Sequence, residues 1–377
     1  MKELKLITIA LIVLTAITSC KKDKKDPEPT PVTPTPTTPT YTVPTSYNFT
    51  NADFSSSTKR ISMLGELAAY IRSTHTTTAA TQPTISASKM KDMFMNAASQ
   101  FTDAALNSSG IQLKDQCGTA LGFAAMIETE FDGAEPASIT AAASATLTTA
   151  SSGVAGKLIG ASSAVLVNAN GYEYKELAEK GIMGALFYYQ AMTIMANIGT
   201  YDNATVTNSS TAQEKKWDEA FGYFGVPVTF PTSTVGLKNW GSYCNSVNVA
   251  IGSNTMIMNA FLKGRAAISA KDNTARDEAK AVVMSTWEKV AAAKCISYLK
   301  GAKNNLTDAA RLHHNLSEGY GFVVAFKYNP NKTISDADIT TLLGYFGTNL
   351  FNLNSSNLDL AIAKLETVFG LNAALIP

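Results

Sequence analysis

The chain is poor in the side chains that carry most metal and nucleophile chemistry. Three histidines and four cysteines occur in 377 residues, and charged residues make up only 16%. No His-Glu-x-x-His pair is present, so a zincin-type metallopeptidase lacks its ligands and base. No Gly-x-Ser-x-Gly turn is present either, which removes the usual serine nucleophile elbow. Charge of one sign is also missing. The 31 basic and 30 acidic residues nearly cancel, and such a chain has no basic footprint for nucleic acid. Cys117, Cys244 and Cys295 are too widely spaced for a disulfide framework or a zinc site. They read as small buried apolar residues. Gly153-Val154-Ala155-Gly156-Lys157 lacks the full glycine spacing and the following Ser/Thr of a phosphate loop, so it reads as a connection.

What is present begins at the N-terminus. Lys2 and Lys5 precede an apolar run, Leu6 to Ile17, that is too short to span a bilayer but suits an export signal. The run closes in Ile17-Thr18-Ser19-Cys20, which resembles the cleavage site of bacterial lipoproteins. That resemblance implies cleavage after residue 19 and lipidation of Cys20, with roughly 0.8 kcal/mol of membrane attachment per buried CH₂. Removing residues 1–19 takes away Lys2, Lys5 and Glu3 and leaves the mature chain neutral. Residues 20–46 then form a charged and Pro/Thr-rich stalk that holds seven of the chain's 13 prolines. An extended polyproline segment of this kind reaches about 3.1 Å per residue. It is a tether.

From Tyr47 onward the helical period dominates. Ile61, Leu64, Leu67, Ala68 and Ile71 recur at the spacing of a core-facing stripe. Further helices are expected over Tyr172–Ile198, Glu214–Phe224, Thr274–Lys300, Leu306–Lys327, Asp336–Phe346 and Leu358–Phe369. Ser209 and Ser210 are expected caps for the second of these, Gly225 its stop, and Pro136 is expected near a helix start. Only Ala164–Val167 and Val226–Phe230 read as strands. The fold class is all-α, arranged as two packed helical bundles over 47–230 and 231–377. Trp217–Phe224 and Leu316–Val323 align Glu, aromatic, Gly and aromatic in register, which suggests a degenerate internal repeat.

Several blocks together resemble a known family. They are Tyr47-Asn48-Phe49-Thr50-Asn51, Arg60–Leu64, Glu179–Ala185, Trp217–Gly225 and His314–Gly319. The chain is similar to a lipoprotein family of Gram-negative bacteria known only as a domain of unknown function, itself imelysin-like. The resemblance implies a helical outer-membrane lipoprotein, facing the periplasm or the cell surface and tied to iron acquisition. Iron, zinc or haem would be its ligand, and an outer-membrane uptake protein its partner. The imelysin motif is His-x-x-Glu. Here Glu219 matches the acidic position but Lys216 stands where the histidine belongs, and His314 lies four residues before Glu318 rather than three.

These residues define the expected site. His314 and Glu318 share a helix face and can reach one ion. Asp218 and Glu219 would add carboxylates if the two halves meet about a common polar centre, as bundle cores build metal sites. Trp217, Tyr223 and Trp240 form either an aromatic binding face or part of the core. The competing reading is a structural or interaction lipoprotein without a small ligand, in which the same acids only hold helices together.

Overall fold

A computed structural model describes residues 40–78, 82–146 and 148–377. The expected signal 1–19, Cys20 and the stalk as far as residue 39 lie outside the described residues. No helix among the described residues is long and apolar enough to cross a membrane.

The chain is mostly helical. α1 (Ser55–Arg72), α2 (Ala87–Met95), the one-turn α3 (Ala104–Asn107) and α4 (Phe123–Ala143) come first. The expected stripe on α1 is buried. Pro136 does not open a helix but lies inside α4, whose buried Phe131, Ala134, Ala137 and Ala141 pack this helix inward. That packing, including contact with α2, outweighs the one ladder bond a proline forfeits. A hairpin follows, β1 (Gly156–Ile159) antiparallel to β2 (Ala164–Val167), with Gly156 opposite Val167.

The expected helix Tyr172–Ile198 is α5 (Tyr174–Ile182), a π-helical stretch Met183–Tyr188 and α6 (Tyr189–Ala196) in unbroken succession. Every residue of the π stretch is buried. α7 (Ala212–Phe224) starts at a capping box between Thr211 and Glu214, one residue beyond the expected serines, and stops at Gly225 with φ +78°. The expected strand Val226–Phe230 is not one. Its Val228 carbonyl instead accepts the Tyr47 N–H at 2.8 Å and fixes the chain's entry into the body. α8 (Asn239–Ile251), α9 (Ser253–Ser269), α10 (Asn273–Asn304), α11 (Ala309–Ala325), α12 (Asp336–Phe346) and α13 (Ser356–Phe369) complete the order.

α10 packs on α9, α11 and α13, α11 packs on α5, and α7 packs on α1, α6 and α9. Residues 40–377 form one compact unit. Its main apolar core runs from Tyr47 to Ile376 and crosses position 230 without a break. Trp217, Tyr223 and Trp240 belong to that core and present no open aromatic face, being at most 1% exposed. Their polar atoms are paired inside. Trp217 donates to the Phe261 carbonyl at 3.0 Å, Trp240 donates to the Met183 carbonyl at 3.1 Å, and Tyr223 accepts from Arg60. Aromatic rings of this size contribute most when dry and hydrogen-bonded. The three cysteines in this unit are free and buried.

Candidate functional site

Asp218, His314 and Glu318 divide between two polar centres among the described residues. Asp218 joins the first. Arg265, fully buried on α9, donates from Nε to Asp218 Oδ1 and from Nη1 to Glu214 Oε1, both at 2.8 Å. Its Nη2 donates to Asn51 Oδ1 at 2.9 Å. Asp218 also accepts the Tyr47 hydroxyl at 2.8 Å, while Glu214 accepts Ser269 Oγ and the Thr211 N–H. Glu219 belongs to neither centre; it is half-buried and pairs with Lys216 at 2.8 Å. The expected convergence of Asp218 and Glu219 on His314 therefore does not occur. Each is tied off by nearer partners, and the carboxylates that do meet His314 are Glu173 and Glu176 at the start of α5 and Glu318 on α11.

The second centre forms where α5 lies against α11. Glu173 is the extended residue just before α5, its N–H donating to Ser317 Oγ at 2.9 Å. Glu176 follows in the first turn, where the helix dipole favours a carboxylate. Asp308 caps α11 by accepting the Arg311 N–H, which starts the helix that carries His313, His314 and Glu318. The two helices approach closely because Gly321 has no Cβ; one there would lie 2.4 Å from Lys180 Cβ. His313 turns away from the centre, its Nδ1 2.7 Å from the Gly171 carbonyl. His314 faces inward.

His314 Nδ1 lies 2.9 Å from Glu173 Oε2 and 3.4 Å from Glu176 Oε1. Its Nε2 is 3.8 Å from Glu318 Oε1. One ligand atom from each of Glu173, Glu176 and His314 falls within 4.8 Å of the others. Glu173 and Glu176 are wholly buried, whereas the His314 side chain is 37% exposed and forms the outer wall. Lysines brace the inner side. Lys175 donates to Glu176 Oε1 at 2.6 Å and also meets Glu179, and Lys180 donates to Glu176 Oε2 at 2.8 Å. Lys180 Nζ is 3.1 Å from Glu318 Oε2 but out of hydrogen-bond alignment, so that oxygen has no hydrogen-bond partner among the described residues. Lys294 stands nearby on α10, its ammonium 4.6 Å from the Tyr298 ring centre.

The electrostatics follow from crowding four acids around these cations. Burial, then the Glu176 charge, pushes Glu318 up to about 7 against Lys180 and His314. Burial would lower His314, but the hydrogen bond and charge of Glu173, then Glu176 and Glu318, push it up to about 9. Burial likewise opposes ionisation of Glu176, yet Lys180 and Lys175 hold it well below the usual carboxylate range. His75 is pushed down by burial despite the nearby Glu173.

Glu173, Glu176 and His75 are the residues that sequence reasoning passes over. Their one local signal is the i, i+3 spacing of two glutamates at a helix start. Their partner on α11 lies 141 residues from Glu173.

The family described as a domain of unknown function, DUF4856, matches residues 44–349, a span that takes in α1 to α12. No curated protein matches the chain, and no solved structure does.

Proposed function

The chain belongs to the DUF4856 family, and from the geometry of its α5–α11 centre we propose that it captures a transition-metal ion. The observation that carries this reading is the convergence of Glu173, Glu176 and His314 within 4.8 Å. Carboxylate oxygens and one imidazole suit iron, manganese or zinc. The donors gather about a point rather than flank a plane, which favours a bare ion over haem. The reading includes an imelysin-like affiliation, lipid anchoring through Cys20 in the outer membrane of a Gram-negative cell, and hand-over to an uptake protein. The ion is cargo here, and no catalytic step is assigned.

A second reading has its own support. Lys175 and Lys180 already pair with Glu176, Glu179 and Glu318, so the same acids can serve only to lock α5 onto α11. Purification without chelator, followed by metal analysis and calorimetry with Fe²⁺, Mn²⁺ and Zn²⁺, separates the two. Metal capture predicts a single ion per chain, lost in Glu176→Gln and His314→Gln. A ligand at 100 times its dissociation constant stabilises the folded state by about 2.7 kcal/mol, which a thermal melt detects. Absence of binding and of any thermal shift leaves the structural reading.

A further inference from the structure

The adjacent histidines of α11 face different ways, and only His314 meets the carboxylates. His313 is seated against the turn that delivers Glu173. Residues 168–173 join β2 to α5, and this turn is closed on itself. The Gly171 N–H donates to the Asn168 carbonyl and the Asn168 N–H to the Tyr172 carbonyl, both at 2.9 Å. Asn168 Oδ1 accepts the N–H groups of Asn170 and Tyr172. Gly171 is left-handed at φ +82°, a conformation that penalises a residue with a Cβ. A Cβ there would also lie 2.5 Å from His313 Cε1. Glycine is required at 171 twice over, by the turn and by the imidazole packed on it.

α11 grips this turn at two points. His313 Nδ1 lies 2.7 Å from the Gly171 carbonyl oxygen, which can only accept, so Nδ1 carries the proton. One helical turn further on, Ser317 Oγ accepts the Glu173 N–H at 2.9 Å and donates to the His313 carbonyl at 2.7 Å. Both side chains are buried, which shields the two bonds from water. Glu173 stands at the cap position of α5, but its carboxylate takes no part in capping that helix. It faces His314 Nδ1 at 2.9 Å instead.

Resting on the metal-capture reading above, we infer that His313 and Ser317 are positioning residues of the site. They act through the Gly171 carbonyl and the Glu173 main chain to hold the Glu173 carboxylate against His314. α11 thereby carries one ligand and fixes where a second, 141 residues away in sequence, must stand. A ligand whose main chain is already pinned loses little freedom when an ion arrives, and supporting hydrogen bonds of this kind raise metal affinity.

Zn²⁺ calorimetry and the visible spectrum of bound Co²⁺ provide the test, with the fold of each variant checked by circular dichroism and by melting in chelator. His313→Leu and Ser317→Ala should bind Zn²⁺ about 10- to 100-fold more weakly than wild type and alter the Co²⁺ spectrum. His313→Asn, whose amide N–H takes the place of Nδ1–H, and Ser317→Thr, which keeps the hydroxyl, should recover most of the affinity. If His313→Leu does not fold, Ser317→Ala against Ser317→Thr decides alone. A lowered melting temperature with wild-type Zn²⁺ affinity and Co²⁺ spectrum means that these residues only pack the turn; it overturns the positioning role and leaves metal capture standing. Equal loss of affinity in the conservative and non-conservative variants also overturns that role. A wild-type protein that takes neither Zn²⁺ nor Co²⁺ overturns both.

Discussion

The two buried charge centres use similar side chains and are finished differently. Around Arg265, the guanidinium, both carboxylates, the Tyr47 hydroxyl, Asn51 and Ser269 meet in bonds of 2.6–2.9 Å. Nothing in the Arg265 set is left unpaired among the described residues. Around Glu173 some contacts are as short, at 2.6–2.9 Å, but His75 Nε2, Glu173 Oε1 and Glu318 Oε2 have no hydrogen-bond partner among the described residues. A closed network of buried charges fixes packing, because it satisfies each desolvated group within the protein. An open one carries a standing penalty, and such penalties collect where a ligand completes the set. The first centre holds the entering segment, α7 and α9 together. The second has room in its bonding for something else.

The contrast can be broken most forcefully at Arg265. Arg265→Ala strands Glu214 and Asp218 in the interior and should cost about 3–5 kcal/mol of stability in urea unfolding, the usual loss when one partner of a buried pair is removed. A loss under about 1 kcal/mol would mean that this centre is not the closed lock described.

Glu173→Gln should cost less, about 1–2 kcal/mol in the metal-free protein, because it removes a charge with one unpaired oxygen and forfeits mainly its bond to His314. The same variant should lose metal binding. If metal-free Glu173→Gln were as unstable as Arg265→Ala, the two centres would not differ in kind.

The smallest expected effect is on pH dependence. His314 is raised from 6.5 to about 9, so its stabilising protonation is complete below about 6.5 and is lost as pH climbs through 9. Glu318, raised from 4.5 to about 7, also favours the folded state only while protonated, and that contribution fades as pH rises through 7. Both groups act in the same direction. With chelator present, the melting temperature should fall between about pH 6 and about pH 9.5, and His314→Gln should flatten the upper part of that decline. A melting temperature that climbs over this range would contradict the arrangement of charges around His314.

Much of the architecture was legible because it is local. The apolar spacing on α1, the glycine stop of α7 and the mostly apolar stretch from Ile182 to Met195 each depend on residues within a few turns of one another. Where a local rule conflicted with packing, packing prevailed, as with Pro136 inside α4 and with Val226–Phe230, which is spent on anchoring Tyr47. At the site, His314 and Glu318 could be paired from their i, i+4 spacing alone. Asp218 and Glu219 could not be placed, since nothing nearby in sequence marks Arg265, 47 residues from Asp218, as a partner. Trp217, Tyr223 and Trp240 read more readily as core than as a binding face, and neighbouring helices do cover them.

The amino-acid sequence by itself determined that this is a helical body, where most of its long helices lie, and that His314 and Glu318 look the same way. Those outcomes rest on the 3.6-residue period and on caps, which act over a single turn. Only the tertiary structure decided which acids surround His314. That choice depends on α5 docking against α11, and such docking is set by the shape of buried surfaces far apart in the chain rather than by any short-range pattern.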